Sequence, residues 1–458
     1  MLRMIGYRNN YRNAAWFTAT FLLVFMMNLS SIRSKSWTAP DPPGDTQDYY
    51  SIALNLWAGK GFAVDWDDPA WRLPYDTANG SGHFSEILSR HGHYPTAYRP
   101  PAVPLLMAVV CGLTKGYFFL AWRLVDSFVV ALAAAAATVL ARRTAGVTAA
   151  VATMVLYYWD GGFLRQYVPR IMTEGISTLA VMLLAYTALL VMERKRLVLV
   201  AVAGLTTGFL ILVRSIFVFW LPGLSLLMMA CWQWRGKGGL FQAVRIAALY
   251  LAVALATVAP WWVRNCIVLG KFMPLGTQGG CALPGGYSDL AVENRGNWTG
   301  SAMARIWESY TKENDVTGLT LIETELRWSE TGQRAAVRWM KDHWAFLPRF
   351  ALRKAVTEWR AWQPGRVLVL LGLCLLGSLL NWRRHPQVIV LWFVIIANTL
   401  TIMATYAVNG RFLIPVLFPC YILIGVGITE WLRATRLLDD YLGRLGREMN
   451  KASESGIP

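Results

Sequence analysis

The segment 44–57 of this 458-residue chain places two carboxylates where a helix should begin. From Tyr49 to Trp57 apolar residues recur at three- and four-residue intervals, the spacing of one helical face. The pattern predicts a short amphipathic helix on a membrane surface, with Asp45 and Asp48 at its N-terminal end. Two roles are open for them. Asp45 can cap the helix with Asp48 completing a capping-box-like pair, or one of them can act as a general base that accepts a proton.

Other charged and amide side chains occur where apolar segments begin or end. They are Arg99, Asp160, Arg170, Glu174, Arg214, Arg264, Asn265 and Arg411. Ionisable residues at membrane depth are costly and often functional, although a lone terminal arginine is more commonly explained by snorkelling to lipid head groups. Several arginines on one side of a membrane, opposite carboxylates, favour a site for a phosphorylated lipid, because a guanidinium binds phosphate with a two-pronged fork.

Metal and nucleotide motifs give weaker signals. His83, His91 and His93 crowd one segment, but they lack an acidic or cysteine partner at a fixed spacing. The sequence therefore assigns no metal ligand and no cofactor, and it leaves dependence on a divalent metal open. It contains neither a phosphate-binding P-loop nor a dinucleotide-binding glycine fingerprint. An ATP-driven pump is not expected.

The composition is that of an integral membrane protein. Hydrophobic residues make up 55% of the chain and 22 residues are tryptophan. The apolar residues fall in blocks of about 16–22, long enough to cross or nearly cross a bilayer core of ~30 Å.

The net charge of +17 is concentrated in a few short segments. These hold 18 of the 44 basic residues and only 5 of the 27 acidic ones. They are the N-terminus, 142–143, 193–196, 235–245, 383–384 and the segment from 433 onward. Such segments mark the inner side of a membrane, so the charge predicts topology and no nucleic-acid partner is expected.

We therefore predict an all-α, polytopic membrane protein with about ten spans and interfacial helices in long outer loops. A single membrane domain covers 1–432, with outer loops at 33–114 and 264–366, and a basic cytoplasmic tail covers 433–458. The predicted spans are 15–32, 118–140, 147–159, 175–192, 197–213, 216–232, 246–262, 367–380, 388–406 and 412–432. The segment 100–114 is treated as an interfacial or re-entrant helix, because that choice keeps every basic cluster inside.

In this order the motifs resemble the GT-C superfamily of glycosyltransferases that use polyprenyl-phosphate sugars, most closely the protein O-mannosyltransferase and aminoarabinose transferase branch. The resemblance covers essentially the whole chain. It rests on Gly44-Asp45 with Tyr49, Ala53, Leu56, Gly59, Gly61 and Phe62, on Arg99-Pro100-Pro101, on Thr173-Glu174, on Trp261 to Asn265, and on Gly410-Arg411-Phe412 with Pro415.

The resemblance implies a sugar transfer from a polyprenyl phosphate on the outer face of the cytoplasmic membrane, with inversion at the anomeric carbon. It implies that Asp45 is the catalytic base and that Arg411 lies near the donor phosphate. We expect Arg264 and Arg214 to join Arg411 there. The expected substrate-binding residues are Arg99, Glu174, Asp160, Arg170 and Asn265. Thr46 follows Asp45 where the mannosyltransferases have an acidic residue, and no large C-terminal soluble domain follows the last span. The acceptor therefore stays open among lipid, glycan and protein.

A lipid transporter or flippase is the alternative, since the same arginines could carry an anionic or sugar-linked lipid without chemistry. Transporters commonly show inverted repeats or broken helices near the midplane. The sequence shows neither pattern, and its long outer loops favour an enzyme.

Overall fold

A computed structural model describes residues 2–32, 40–41, 44–80, 82–114, 118–160, 163–234, 239–362 and 365–454. Side chains are described from residue 11 onward within these ranges, except for 365–370 and those beyond 436. The first residues of the predicted loop 33–114, the start of the basic segment 235–245 and the last four residues of the predicted tail lie outside the described residues.

Most of the described residues are helical. In chain order the helices are α1 (Leu2–Ile32), α2 (Thr46–Trp57), α3 (Pro69–Ala78), α4 (Ser85–Leu88), α5 (Ala102–Thr114), α6 (Phe118–Ala145), α7 (Val147–Trp159), α8 (Glu174–Arg194), α9 (Leu197–Val213), α10 (Leu221–Gln233), α11 (Leu240–Leu269), α12 (Gly276–Ala282), α13 (Asp289–Glu293), α14 (Gly300–Glu313), α15 (Leu321–Asp342), α16 (Leu347–Trp362), α17 (Gly365–Leu380), α18 (Gln387–Ala404) and α19 (Leu417–Glu454). Short 3₁₀ helices cover Ser215–Trp220, Leu283–Gly285 and Arg411–Val416. Strands β1 (Ala63–Asp65) and β2 (His93–Pro95) form an antiparallel pair in which Val64 faces Tyr94.

Seven helical segments in the described part of the chain are long and apolar enough to cross a membrane. They are Tyr11–Ile32, Phe118–Ala145, Glu174–Arg194, Ser215–Gln233, Leu240–Leu269, Gln387–Ala404 and Arg411–Arg436. The predicted all-α, multi-pass membrane fold is confirmed.

The other three predicted spans are shorter helices. Helices α7, α9 and α17 have 13, 17 and 16 residues, which at 1.5 Å per residue is about 20–26 Å, less than a bilayer core of ~30 Å. Helix α9 nevertheless packs tightly in the bundle, since a Cβ on Gly204 would lie 2.8 Å from the carbonyl oxygen of Tyr250 in α11. The membrane domain thus mixes full-length and short apolar helices.

The two long connections pack against each other on one side of the bundle, which we call the loop side. Helices α2–α4 with the β1–β2 pair come from the first connection, and α12–α16 come from the second. Glu325 of α15 joins them by accepting hydrogen bonds from Thr96 Oγ1 at 2.7 Å and Thr277 Oγ1 at 2.6 Å. The loop side is therefore one folded layer.

Helix α2 forms where the sequence predicted it, but its polar face is not on a surface. Ser51 and Asn55 are buried along with Ile52 and Ala53. The hydroxyl of Ser51 accepts from the N–H of Asp65 at 2.9 Å, because β1 packs on this face. The prediction of a surface-lying amphipathic helix is wrong in this respect, and the helix start that carries Asp45 is held from several sides.

Candidate active site

A cavity of about 230 Å³ lies on the loop side, where the start of α2, the end of α9 and the segment 404–412 meet. Its described charged lining residues are Asp45, Arg99, Arg214 and Arg411. Uncharged lining residues include Tyr49, Tyr98, Thr173, Gln278, Trp298 and Tyr406. Three guanidinium groups and one carboxylate give this wall a net positive charge.

Asp45 is held between two arginines at the edge of the cavity. Its Oδ1 lies 2.8 Å from Arg99 Nη2 and its Oδ2 lies 2.8 Å from Arg411 Nη2. It occupies the residue before α2, but its side chain caps no backbone N–H. Burial would raise the pKa of Asp45, but the charges of Arg99 and Arg411 outweigh it and hold the pKa well below its ordinary value.

Arg411 reaches the cavity from a tight turn. Asn409 and Gly410 both adopt left-handed φ angles, 47° and 81°, so the chain reverses just before the 3₁₀ helix that Arg411 opens. The guanidinium contacts Asp45 and, through Nε, the carboxylate of Glu174 at the start of α8.

Arg214 completes this arrangement. Its Nη1 lies 3.3 Å from Glu174 Oε1, and its guanidinium lies over the Phe412 ring, 4.7 Å from the centroid. Glu174 itself is buried and does not line the cavity, so it acts from behind as the shared partner of Arg214 and Arg411. We call Asp45, Arg99, Glu174, Arg214 and Arg411 the cavity group.

Asp48 does not cap the helix, and the predicted capping-box-like pair is wrong. Its Oδ2 accepts from Arg99 Nε at 2.8 Å and from Arg99 Nη2 at 2.6 Å, and its Oδ1 lies 3.5 Å from Arg90. A guanidinium offers a stronger, charge-assisted contact than backbone N–H groups do. Asp48 is buried behind Arg99 and, unlike Asp45, does not line the cavity.

The predicted pair Arg264 and Asn265 lies outside the cavity wall. Arg264 donates to the carbonyl oxygens of Thr96 at 2.6 Å and Phe62 at 2.7 Å, and to Asn265 Oδ1 at 3.1 Å. Its guanidinium also lies over the Trp261 ring, 5.1 Å from the centroid. The structure therefore engages Arg264 with backbone and aromatic partners, whereas Arg411 is engaged with carboxylates.

Asp160 and Arg170 are also not brought to the cavity. Asp160 accepts hydrogen bonds from Trp362 Nε1 at 2.9 Å and from the Tyr421 hydroxyl, in a buried network between α7, α16 and α19. Arg170 is exposed and lies against the Tyr167 ring, 5.4 Å from its centroid. Their predicted substrate-binding roles gain no geometric support.

Helix α16 braces the segment that carries Arg411. Lys354 Nζ donates to the Thr405 carbonyl oxygen at 2.7 Å and lies 3.4 Å from the centroid of the Tyr287 ring. The two carboxylate oxygens of Glu358 accept from the N–H of Phe412 at 2.7 Å and of Val408 at 2.5 Å. Both side chains are fully buried, so they fix this segment from behind.

Glu325 does the same for the segment that carries Arg99. Besides the two threonine hydroxyls, it accepts the N–H of Ala97 at 3.1 Å, two residues before Arg99. We call Arg264, Glu325, Lys354 and Glu358 the bracing group, because each of them contacts backbone atoms.

Sequence reasoning missed Glu325, Lys354 and Glu358. The signal was a charged residue on the apolar face of an amphipathic helix. In α16, Phe350, Lys354, Glu358 and Trp362 recur every four residues and are all buried. A charge in such a row predicts a buried partner, which the sequence alone does not identify.

The carboxylates at the cavity do not fit a metal ion. Asp45 and Glu174 are both paired with Arg411, which already supplies the positive charge between them. Among the described residues, no three His, Cys, Asp or Glu side chains are grouped as metal ligands.

Comparisons with known proteins identify the fold. No protein-family model matches the chain, and no curated protein matches it either. Solved structures do. The Archaeoglobus fulgidus oligosaccharyltransferase in its apo form matches 93% of this chain with a TM-score of 0.52 and 14% identity. The same enzyme in complex with Zn and sulfate matches 93% with a TM-score of 0.52 and 16% identity.

A third match is the archaeal oligosaccharyltransferase AglB from Archaeoglobus fulgidus in complex with an inhibitory peptide and a dolichol-phosphate, with a TM-score of 0.51, 14% identity and 93% coverage of this chain. The chain spans about half of the length of these proteins, 51–52%. The GT-C resemblance is thus confirmed for the fold, while the predicted branch stays a prediction. The chain has the membrane fold of the GT-C oligosaccharyltransferases.

Proposed function

We propose that the chain is a membrane glycosyltransferase that moves a sugar from a polyprenyl phosphate to an acceptor on the outer face of the cytoplasmic membrane. The observation that carries the proposal is the charge of the cavity wall. Three arginines and one carboxylate line a single cavity, and Asp45 contacts Arg411 directly although 366 residues separate them. The arginines can bind a phosphate, and the carboxylate can accept a proton.

The chemistry is a single displacement. An oxygen or nitrogen of the acceptor attacks the anomeric carbon while the bond from that carbon to the lipid phosphate oxygen breaks. The acceptor's proton passes to the carboxylate of Asp45, and the polyprenyl phosphate leaves as an anion. With one displacement and no covalent enzyme intermediate, the anomeric configuration inverts.

Arg411 and Arg214 stabilise the departing phosphate. Charge grows on the phosphate as the bond breaks, and guanidinium groups fixed beforehand stabilise that charge without reorganising. In the free protein Arg411 faces Asp45 at 2.8 Å. A bound phosphate competes for this guanidinium, so donor binding frees Asp45 from one counter-charge and makes it a stronger base.

Asp45, rather than Asp48, is the base in this proposal. Asp45 lines the cavity, whereas both oxygens of Asp48 face arginines behind it. Arg99 lies between the two carboxylates and orients Asp45. Arg264, Asn265, Asp160 and Arg170 have no direct part in this step.

The donor class draws support from the dolichol-phosphate in the AglB complex, and a protein acceptor draws support from its peptide. A lipid or glycan acceptor stays equally open, as does the O-mannosyltransferase or aminoarabinose transferase branch. The predicted topology puts the loop side outside, so a cysteine at Asn297 should react with a membrane-impermeant reagent and one at Lys195 should not. The reverse labelling would overturn the outer-face site.

A deletion strain tests the function without knowledge of the acceptor. Cells lacking the chain should accumulate a polyprenyl-phosphate sugar, detected by mass spectrometry of extracted lipids. Wild-type protein should clear it, and Asp45→Asn at equal membrane abundance should not. A flippase needs no proton acceptor. Clearance of the lipid-linked sugar by Asp45→Asn would therefore contradict the glycosyltransferase and favour the lipid transporter.

A further inference from the structure

A second cluster of arginines lies outside the cavity, on helix α16 and the segment 295–297. A recess of about 440 Å³ is lined by Arg295, Arg353 and Arg360, together with Asn297, Val356 and Thr357. All three arginines are exposed. No carboxylate of a described residue lies within ion-pair distance of any of the three, whereas the arginines of the cavity group all pair with acids. The recess therefore presents uncompensated positive charge.

The recess is rigidly built. Arg353, Thr357 and Arg360 follow one another at four and three residues along α16, so they share one helical face. Thr357 Oγ1 donates to the carbonyl oxygen of Arg295 at 2.8 Å, which holds the third arginine against that face. Guanidinium groups in such a cluster match the oxygens of a phosphate.

An apolar groove begins beside the recess, because Val356 of the recess and Trp359 of the groove lie three residues apart on α16. It has a volume of about 280 Å³, and Trp359, the neighbour of Arg360 in sequence, lies at its loop-side end. The other lining residues are Leu375 of α17 and Trp392, Ile395, Ile396, Thr399 and Leu400 of α18. Trp359 Nε1 donates to Thr399 Oγ1 at 3.3 Å, which fixes α16 to α18 at that end.

The groove runs into the membrane domain. From Leu400 back to Trp392 it follows α18 for eight residues, roughly 12 Å at 1.5 Å per residue. Helix α18 is one of the spanning segments, and α17 begins three residues after α16 ends. Two of the three arginines thus lie on the helix that leads into the membrane domain, next to an apolar surface that fits part of a hydrocarbon chain.

We propose that this recess and groove bind one anionic phospholipid of the surrounding membrane, with its phosphate among the three arginines and an acyl chain against α17 and α18. The site is separate from the cavity, with which it shares no lining residue.

The bound lipid stabilises the element that positions Arg411. One face of α16 forms the recess, and a different face carries Lys354 and Glu358, which hold the segment 405–412. Asn297, in the recess, accepts the N–H of Asn409 at 3.1 Å. Lipid binding in the recess therefore stabilises the same segment, 405–412, through Asn297.

Native mass spectrometry of the full chain, incubated in detergent with equal amounts of phosphatidylglycerol and phosphatidylcholine, tests the site. Wild type should retain one phosphatidylglycerol in preference to phosphatidylcholine. Arg353→Gln/Arg360→Gln should weaken its retention roughly 10- to 30-fold, since each basic residue near a lipid surface contributes about a fivefold step. The matched control is Arg334→Gln/Arg338→Gln, two exposed arginines of α15, which should retain the lipid as wild type does.

A charge-neutral variant tests the groove independently. Ile396→Trp fills it and should also reduce retention, whereas Leu205→Trp, on the exposed face of α9, should not. The comparison of Ile396→Trp with Leu205→Trp still tests lipid binding if the double arginine variant does not fold. Equal loss in the control variants, absence of a preference for phosphatidylglycerol in wild type, or displacement of the lipid by inorganic phosphate alone would overturn the proposal.

Discussion

The cavity group and the bracing group contain the same kinds of side chain and use them differently. In the cavity group the charges pair with one another, as in Asp45 with Arg99 and Arg411, at the edge of open space. In the bracing group each charge contacts backbone atoms, as Arg264 does at two carbonyl oxygens. Charge that is satisfied by other mobile side chains can be redirected to a ligand, whereas charge satisfied by the backbone fixes the chain.

The difference assigns the two groups distinct tasks. Glu325 holds the segment before Arg99, and Glu358 holds the segment around Arg411. The bracing group thus positions the side chains of the cavity group. Changes in the cavity group should alter chemistry or ligand binding more than stability, and changes in the bracing group should alter both.

The largest effect should come from Asp45→Asn. An amide cannot accept the proton, so turnover should fall roughly 10²–10⁴-fold, measured as release of polyprenyl phosphate by the protein in liposomes. The protein should lose some stability with the two ion pairs but still fold, because Arg99 keeps Asp48 and Arg411 keeps Glu174 as a partner and the helix loses no cap.

Asp48→Asn is the matched control. It removes the carboxylate charge behind Arg99, but Arg99 keeps Asp45 as a partner. We therefore expect turnover to fall no more than about tenfold, far less than on loss of a catalytic base. If Asp48→Asn instead produced the larger loss, the base would be Asp48 and the cavity assignment would be wrong.

A smaller effect is expected from Glu358→Gln. Glutamine replaces one accepting oxygen with an N–H donor, and that donor would face the N–H of Val408 or Phe412. The segment should shift and displace Arg411, raising the KM for the donor roughly tenfold or more, because small misplacements of a positioning group are costly.

Glu325→Gln should be tolerated better. Two of the partners of Glu325 are threonine hydroxyls, which can turn and accept a hydrogen bond. Equal effects of the two substitutions on donor KM would show that the brace at Glu358 has no special relation to Arg411.

The smallest effect should be the pH dependence of stability caused by Lys354. Burial lowers the pKa of Lys354 to about 7. Between that value and its unfolded pKa of ~10.4 the unfolded chain binds more protons, so stability rises with pH in this window. The Tm of wild type should therefore rise from pH 7 to pH 10, by an amount on the order of a few degrees.

In Lys354→Met this rise should be reduced, as measured by thermal unfolding in detergent at each pH. The exposed Lys341→Met of α15 controls for the loss of a lysine charge. A rise in Lys354→Met as large as in wild type would show that other groups cause the pH dependence.

The sequence predicts the membrane fold because long apolar blocks have few other stable outcomes. It also predicts which residues lie near the loop side, since Asp45 precedes a helix and Arg214 and Arg411 adjoin apolar segments. Their roles remain proposals.

What the sequence cannot supply are contacts between distant segments. Arg264 and Arg411 look alike in sequence, because each adjoins an apolar segment. They differ through the carbonyl groups of Thr96 and Phe62, which are 168 and 202 residues from Arg264, and through Asp45, which is 366 residues from Arg411. The predicted capping role of Asp48 is wrong for the same reason, since its partner Arg99 lies 51 residues away in the sequence.

Binding of polyprenyl phosphate to Arg411→Lys and Arg264→Lys tests most directly whether the cavity group takes the ligand. Both substitutions keep a positive charge and lose the two-pronged guanidinium. In liposomes containing the full chain, Arg411→Lys should weaken binding about tenfold or more, since phosphate recognition uses that fork. Arg264→Lys should bind as wild type does once its folded fraction is matched, because its carbonyl partners lie outside the cavity wall. Equal weakening in both, or none in Arg411→Lys, would contradict the account.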